Sequence, residues 1–266
     1  MRNQPARFGA AILACLLLAG CITAQMDSET SLSPEQQRML KLAGDVEARG
    51  DQHTALALYA RAAENSGNAT EAQLRLGHAQ LKARNYAAAN EAFAKVLTTE
   101  PEHPDALLGL GTAKLKSGDN EGSARTLGAA CPLASAASAC NRLGTALILL
   151  GRLDEALAAF DRAQSLAPND LDIKVNTALT QALAGRTNEA VTAMRTVAQS
   201  PLAQPRHQAN LVMVLGIAGQ LDEARKVNVP DMSQAQRQDL LARAKKVREA
   251  PNPLAKARAI GLFSAA

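Results

Sequence analysis

The sequence predicts an all-α fold: a superhelical solenoid of about six helix-turn-helix units, closed at its C-terminal end by one capping helix. Turn residues recur along most of the chain at intervals of 33 or 34 residues. They are Gly50, Arg84, Gly118, Gly151, Gly185 and Gly219. The composition agrees with this, because 47% of the residues are hydrophobic, only 2% are aromatic and none is Trp. A bias towards Ala and Leu favours many small helix–helix contacts over one large aromatic core.

The clearest unit surrounds the turn at Gly151. Gly144 lies seven residues before this turn, Ala156 lies five residues after it, and Phe160 and Pro168 follow. Large and small apolar residues thus recur at helical spacing on both sides of a glycine, and a proline ends the unit. This pattern resembles the tetratricopeptide (TPR) repeat of 34 residues. The resemblance implies a scaffold that binds other proteins.

Each unit carries a small residue in its first helix, a second small residue after the turn, and a large residue that fills the gap. The first small residues are Ala43, Gly77, Gly111, Gly144, Ala178 and Val212. The second are Ala55, Ala89, Ser123, Ala156, Ala190 and Ala224. The large residues are Tyr59, Phe93, Leu127, Phe160, Met194 and Asn228. The last unit departs from the pattern at Val212 and Asn228, as is expected of a terminal repeat with one neighbour.

The solenoid is predicted to span residues 34–230. Ser33 and Gln36 can form a capping box around the start of the first helix, and Pro230 cuts the last unit short. Residues 231–250 follow as the capping helix, whose apolar side is formed by Leu240, Leu241, Ala244 and Val247. We expect residues 251–266 to be a flexible tail, with folding back onto the stack as the alternative.

The N-terminal residues have the pattern of a secretory signal. Arg2 and Arg7 precede an apolar run over residues 8–18, which is too short to cross a membrane. The run ends in Leu-Ala-Gly-Cys at residues 18–21, which resembles a bacterial lipobox. The resemblance implies that residues 1–20 are removed and that Cys21 is acylated. We expect residues 21–33, which are polar and aperiodic, to be a lipidated flexible tether.

The residue after Cys21 is Ile22. In lipoproteins of this kind an Asp at that position marks retention in the inner membrane. The resemblance therefore implies a protein anchored by lipid to the outer membrane, on its periplasmic face.

Several other functions are disfavoured by the sequence. The formal net charge is +4, and two of these charges belong to the expected signal. No basic stripe interleaved with aromatic residues is present, so nucleic acid is not an expected partner. Residues 109–114 (GLGTAK) lack the spacing of a phosphate loop and fall inside a predicted helix.

The titratable residues suggest neither a catalytic nor a metal site. His53, His78, His103 and His207 occupy different repeat positions without metal-ligand spacing, and we expect them on the surface. No nucleophile, base and oxyanion arrangement is recognisable. We predict a protein that is not an enzyme, with no metal, no small-molecule substrate and no cofactor other than the lipid on Cys21.

Cys131 and Cys140 are the two cysteines of the predicted solenoid. Cys131 lies at the end of a second helix and Cys140 lies one turn into the next helix, so antiparallel packing brings them close. An oxidising periplasm favours a disulfide between them. Two small buried thiols are the alternative.

The TPR resemblance implies that the first helix of each unit lines the inner wall of the superhelix. Apolar residues at those positions form a candidate groove for a partner helix. They are Leu74, Leu81, Leu108, Leu115, Ile148, Leu149, Val175, Leu179, Leu183, Met213 and Ile217. The alternative is that some of them are buried against adjacent units or against the C-terminal tail.

The last three repeats resemble one particular family. The matching stretches are residues 141–150 (NRLGTALILL), 185–189 (GRTNE) and 200–224 (SPLAQPRHQANLVMVLGIAGQLDEA). They are similar to the TadD-like lipoproteins that assemble tight-adherence (Tad, or Flp) pili. The resemblance implies a pilotin-like factor, which helps the pilus secretin reach and assemble in the outer membrane.

Two other functional classes remain open from the sequence. One is a general cell-envelope TPR adaptor in outer-membrane protein assembly or peptidoglycan regulation. The other is an enzyme or an enzyme accessory subunit, which requires a catalytic cleft that the sequence does not show.

Overall fold

A computed structural model describes residues 32–66, 69–133, 135 and 137–260, and this part of the chain contains fourteen helices and no strand. The predicted signal, Cys21 and most of the predicted tether lie outside the described residues. In order, the helices are α1 Pro34–Ala48, α2 Gln52–Glu64, α3 Thr70–Lys82, α4 Tyr86–Thr99, α5 Pro104–Ser117, α6 Asn120–Leu133, α7 Ser138–Leu149, α8 Leu153–Leu166, α9 Leu171–Leu183, α10 Thr187–Ala198, α11 Pro205–Ile217, α12 Leu221–Lys226, α13 Gln234–Glu249 and α14 Pro253–Ile260.

The first twelve helices form six consecutive pairs, and each pair packs on the next. The first helices of neighbouring units also approach one another, α3 with α5, α5 with α7, α7 with α9 and α9 with α11. Within the described residues, the second helices make no comparable contact with one another. The first helices therefore line the inner wall of the stack, and the all-α solenoid with a capping helix, α13, is confirmed.

The six turn positions predicted by the repeat spacing share one backbone conformation. Each has a positive φ, between 62° and 92°. Five are glycines, for which this left-handed conformation costs little. Arg84 is the exception at φ 62°, where a side chain costs roughly 1–2 kcal/mol.

In the second, third and fourth units a large side chain of the second helix packs on a glycine of the first. The ring of Phe160 is fully buried against Gly144, and a Cβ atom at Gly144 would lie 2.5 Å from its Cζ atom. Phe93 is likewise fully buried, and its ring touches both Gly77 of its own unit and Gly109 of the next. Contacts of this kind fix the spacing within a unit and between units.

The two ends of the stack follow the sequence pattern. Ser33 accepts a hydrogen bond from the backbone N–H of Gln36, whose side chain accepts one from the Ser33 N–H, so the predicted capping box is confirmed. At the other end α12 has only six residues. The capping helix α13 covers α11 instead, and Ala244 lies against Gly216.

A disulfide joins Cys131 of α6 to Cys140 of α7, with Cα atoms 4.7 Å apart. Both cysteines are buried, and they pack with Ala163 and Ile173 of the following helices. The bridge thus closes the link between the third and fourth units from inside the core.

The structure differs from the prediction of a flexible tail over residues 251–266. Residues 253–260 form α14, which packs against α13, α7 and α9. Ala257 and Ile260 are buried there, and the Lys256 ammonium donates a hydrogen bond to the Leu183 carbonyl at 3.4 Å. The apolar positions recur at helical spacing, which gives the segment a face to bury. Residues 261–266 lie outside the described part.

We predict that Gly144→Ala lowers the free energy of unfolding by about 1–3 kcal/mol, because the new methyl group overlaps the Phe160 ring. Gly128→Ala is the matched control, since nothing lies within 4 Å of the added Cβ. This control is expected to raise stability by about 0.5–1 kcal/mol, the usual preference for Ala in helices. Chemical denaturation measures both, and equal effects would contradict the packing described for Gly144.

We also predict that the double variant Cys131→Ala, Cys140→Ala loses about 2–3 kcal/mol of stability, because a short closed loop no longer restricts the unfolded chain. The comparison is made by denaturation of both proteins without reductant. Mass spectra of non-reduced peptides provide the direct check, and two free thiols in the wild-type protein would contradict the bridge.

Candidate functional site

The inner wall of the stack is the surface on which the sequence placed a partner groove. Seven of the predicted groove residues are instead buried, with exposed fractions between 1% and 7%. They are Ile148, Leu149, Val175, Leu179, Leu183, Met213 and Ile217. All but Leu149 belong to one hydrophobic cluster that also contains Ala257 and Ile260 of α14. The prediction of an open apolar groove in the last three units is therefore wrong, because α13, α14 and the neighbouring units fill this part of the wall.

Leu81, Leu108 and Leu115 are the predicted groove residues that stay partly exposed, whereas Leu74 is almost fully buried. Leu108 and Leu115 belong to α5, seven residues apart, which places them two helical turns apart on one face. Leu81 belongs to α3. The partly exposed residues of the predicted groove therefore lie in the second and third units.

A cleft of about 420 Å³ opens between the first two units. Four of its charged side chains are paired within the protein: the Lys82 ammonium lies 2.9 Å from Glu47, and Arg75 lies 2.7 Å from Glu71. Tyr59 donates a second hydrogen bond to Glu47 at 3.1 Å. The hydrogen bond from Lys82 is the main cause of a lowered Glu47 pKa. The cleft is polar, and the carboxylate of Asp105 also lines it, without an ion pair among the described residues.

The centre of the wall carries two cations that the sequence reasoning missed. Arg142 lies on α7 and Lys116 lies on α5, and both are partly buried. Within the described residues, neither side chain makes a hydrogen bond or an ion pair. Withdrawal from water lowers the pKa of Arg142. It also lowers the pKa of Lys116, and the charges of Arg142 and Arg84 add to that effect.

Two further features belong to the same first helices. Partial withdrawal from water lowers the pKa of the His78 imidazole on α3; the charge of Asp105 opposes this effect, and that of Arg142 adds to it. The amide of Asn176 on α9 donates a hydrogen bond to the side chain of Asn141 on α7 at 2.9 Å. Along the described part of the wall, most charges of the first two units are therefore paired, Lys116 and Arg142 are unpaired, and the last units are apolar and buried.

The sequence predicted that all four histidines lie on the surface, but one of them is buried. His207 has an exposed fraction of 2%, its Nδ1 accepts a hydrogen bond from the Gln204 N–H, and its Nε2 lies 3.2 Å from Asp172. The expectation for His207 was wrong because α11, which carries it, packs against α9 and α10 of the preceding unit. His103 caps α5 by accepting a hydrogen bond from the Ala106 N–H.

Neither a metal site nor a membrane-spanning helix is found in the part of the chain that the structure describes. No group of three or more His, Cys, Asp or Glu residues there could hold a metal ion. None of its helices combines the length and the apolar character that a membrane crossing requires. Residues 109–114 lie within α5, as predicted.

Family models match two parts of the chain. The middle TPR-like domain of cilia and flagella-associated protein 70 matches residues 39–143, and the tetratricopeptide repeat matches residues 137–170. No curated protein matches the chain.

Solved structures share the same architecture. A tetratricopeptide repeat protein from Parabacteroides merdae is similar with a TM-score of 0.67 and 16% identity, over 86% of this chain and 94% of that one. PilF from Pseudomonas aeruginosa has a TM-score of 0.63 and 16% identity, over 78% and 96%. MamA from Desulfovibrio magneticus has a TM-score of 0.59 and 21% identity, over 64% and 96%. The fold is a TPR solenoid.

We predict that Ala257→Glu detaches α14, because the new carboxylate cannot be buried at this fully enclosed position. Amide hydrogen exchange in the last turns of α7 and α9 is then expected to accelerate. Arg258→Glu is the matched control, since Arg258 is exposed on the same helix. Unchanged exchange in Ala257→Glu would show that α14 does not protect these helices.

Proposed function

We propose that this TPR scaffold is an outer-membrane lipoprotein that acts as a pilotin-like assembly factor for the secretin of a tight-adherence pilus. TPR solenoids are a class of scaffold that binds other proteins, and they are generally not catalytic. The proposal adds three things to the fold: a secretin as the partner, a lipid anchor and a location at the outer membrane.

The observation that carries the proposal is the similarity of residues 200–224 to the Tad family. In the structure this stretch extends from the loop after α10 into α12, and its helix α11 packs against the capping helix. Residues 141–150 extend from α7 to the start of its turn. The residues that resemble the Tad family therefore belong to the part of the stack whose inner wall is filled, where their side chains pack within the protein. The partner contacts are then expected nearer the centre of the wall.

The anchor is the second element of the proposal. Leu18 to Cys21 has the lipobox pattern, and an acylated Cys21 would hold the solenoid at the periplasmic face of the membrane. More than one acyl chain makes such anchoring stable, since each buried methylene contributes about 0.8 kcal/mol. A lipid-anchored scaffold can thus carry a bound secretin segment to the bilayer.

A general cell-envelope TPR adaptor is the second candidate. The observation that favours it is that the first three units resemble only generic TPR repeats, and residues 39–143 match the middle TPR-like domain of cilia and flagella-associated protein 70. A stable complex with outer-membrane assembly machinery, without any secretin contact, would support this alternative.

We predict that Cys21→Ser leaves a folded protein without lipid and strongly reduces secretin multimers in the outer membrane. Cys15→Ser is the matched control, because Cys15 belongs to the segment expected to be removed. Radiolabelled palmitate measures acylation, and unheated gel electrophoresis of outer membranes measures multimers. Normal multimers in an unacylated Cys21→Ser strain would contradict the pilotin-like role.

A further inference from the structure

We propose that α14 is an intramolecular ligand of the solenoid, which closes the inner wall of the fourth and fifth units until a partner helix displaces it. The inference rests on the proposed function in one respect, namely that the scaffold binds a segment of another protein. It adds a regulatory contact, together with the side-chain pattern of the segment that can replace α14.

The position of α14 on the first helices is the starting observation. It packs against α7 and α9, which belong to the fourth and fifth units. A Cβ atom at Gly151, the turn after α7, would lie 3.5 Å from the Cβ atom of Leu254. Ala257 and Ile260 belong to the same hydrophobic cluster as Leu183 of α9. A segment of the chain itself therefore occupies the inner wall there, in the way that a bound helix would.

The contacts of α14 define what the wall accepts at this position. Leu254, Ala257 and Ile260 are spaced by three residues and so share one side of the helix. Ala257 is fully buried, so the wall takes a small residue between two larger ones. The Lys256 ammonium donates its hydrogen bond to the Leu183 carbonyl at the C-terminal end of α9, where carbonyls lack partners within the helix and a cation is favoured. The pattern is therefore apolar, small and apolar at i, i+3 and i+6, with a cation at i+2.

The attachment of α14 suits a segment that can leave the wall. Pro251, Asn252 and Pro253 separate it from α13, and all three are exposed. Neither proline has a backbone N–H, so α13 cannot continue through them and these residues form a hinge. α14 has only eight residues, a length at which an isolated helix is marginal in water. The short hinge holds it near the wall at an effective concentration on the order of 1 mM, which a partner segment has to overcome.

The part of the wall that α14 covers adjoins the part that is partly exposed. Leu115 of α5 packs against the same hydrophobic cluster that contains Ala257 and Ile260, and α5 contacts α7 directly. A partner segment bound to α5 can therefore reach the position of α14 with its next turns. Displacement of α14 then extends the binding surface from the third unit to the fifth.

The test compares three forms of the full chain, each carrying Cys21→Ser so that no lipid is present. The native form has no other change, and Ala257→Glu gives the open form. Gly151→Cys combined with Leu254→Cys gives the locked form, because Cβ atoms 3.5 Å apart suit a disulfide. Gly151→Cys alone is the matched control for the turn, and Arg84 shows that an equivalent turn tolerates a side chain.

The probe is a fluorescein-labelled peptide with the sequence of residues 250–260, and fluorescence anisotropy measures its affinity. We expect the open form to bind it about tenfold or more tightly than the native form, because no attached α14 competes. Arg258→Glu is the matched control and should bind like the native form, since Arg258 is exposed on the same helix. The locked form should bind about tenfold or more weakly than Gly151→Cys alone. A probe that carries Ala257→Glu should not bind the open form.

The side-chain pattern is tested with random 12-residue peptides displayed on phage and selected on the open form. We expect the selected peptides to share the apolar, small, apolar spacing and the cation. The peptide of residues 250–260 should displace them, because both occupy the same place on α7 and α9. Their affinities should decrease from the open form to the native form and again to the locked form.

Three outcomes would overturn the inference. They are absence of probe binding by a folded open form, equal binding by the locked form and Gly151→Cys alone, and selected peptides that bind the locked form undiminished. The last outcome would leave partner binding by the rest of the scaffold intact. Thermal melts establish folding, and if Ala257→Glu unfolds the chain, the comparison of the locked form with Gly151→Cys decides alone. The secretin measurement on Cys21→Ser judges the proposed function independently.

Discussion

The fold depends on contacts between a large side chain of a second helix and a small residue of a first helix, which recur in the second, third and fourth units. Phe93 shows why, because its ring lies against Gly77 in its own unit and against Gly109 in the next. Any side chain at either glycine would occupy the space of the ring, so the helices could not approach as closely. The same contact therefore sets the spacing within a unit and the step between units. The shape of the inner wall, and with it the position of every side chain on that wall, follows from this step.

Interactions that repeat with the chain could be predicted from the sequence, as could local ones such as the disulfide between Cys131 and Cys140. Contacts between residues far apart in sequence could not. The turn positions, including the non-glycine Arg84, were found because each turn is determined within one unit. The docking of α14 was expected only as the alternative to a flexible tail, because it joins residues far apart in sequence, such as Lys256 and Leu183. The prediction of an open groove in the last three units was wrong for a related reason. Repeat position correctly assigns Leu179 and Met213 to first helices, but their burial depends on what covers those helices.

The cationic centre was missed, although the repeat spacing contains a signal for it. Charges on successive units pair across about one repeat, as Lys82 does with Glu47 and Arg206 does with Asp172. The positions one repeat before and after Arg142 are Gly109 and Asn176, which carry no charge. An arginine on a first helix is therefore a candidate for an unpaired cation when neither equivalent position in the neighbouring repeats is Asp or Glu. This criterion can be applied as soon as the repeat register is known.

An unpaired cation on the wall has a consequence for folding. Desolvation of Arg142, which lowers its pKa, reduces the stability of the protein because water no longer solvates the charge fully. The wall can hold this arrangement because large-on-small contacts support α7: Phe160 packs on Gly144, and Gly144 lies two residues from Arg142 in sequence. The contact that sets the spacing of the helices therefore also holds in place a side chain whose own position is unfavourable.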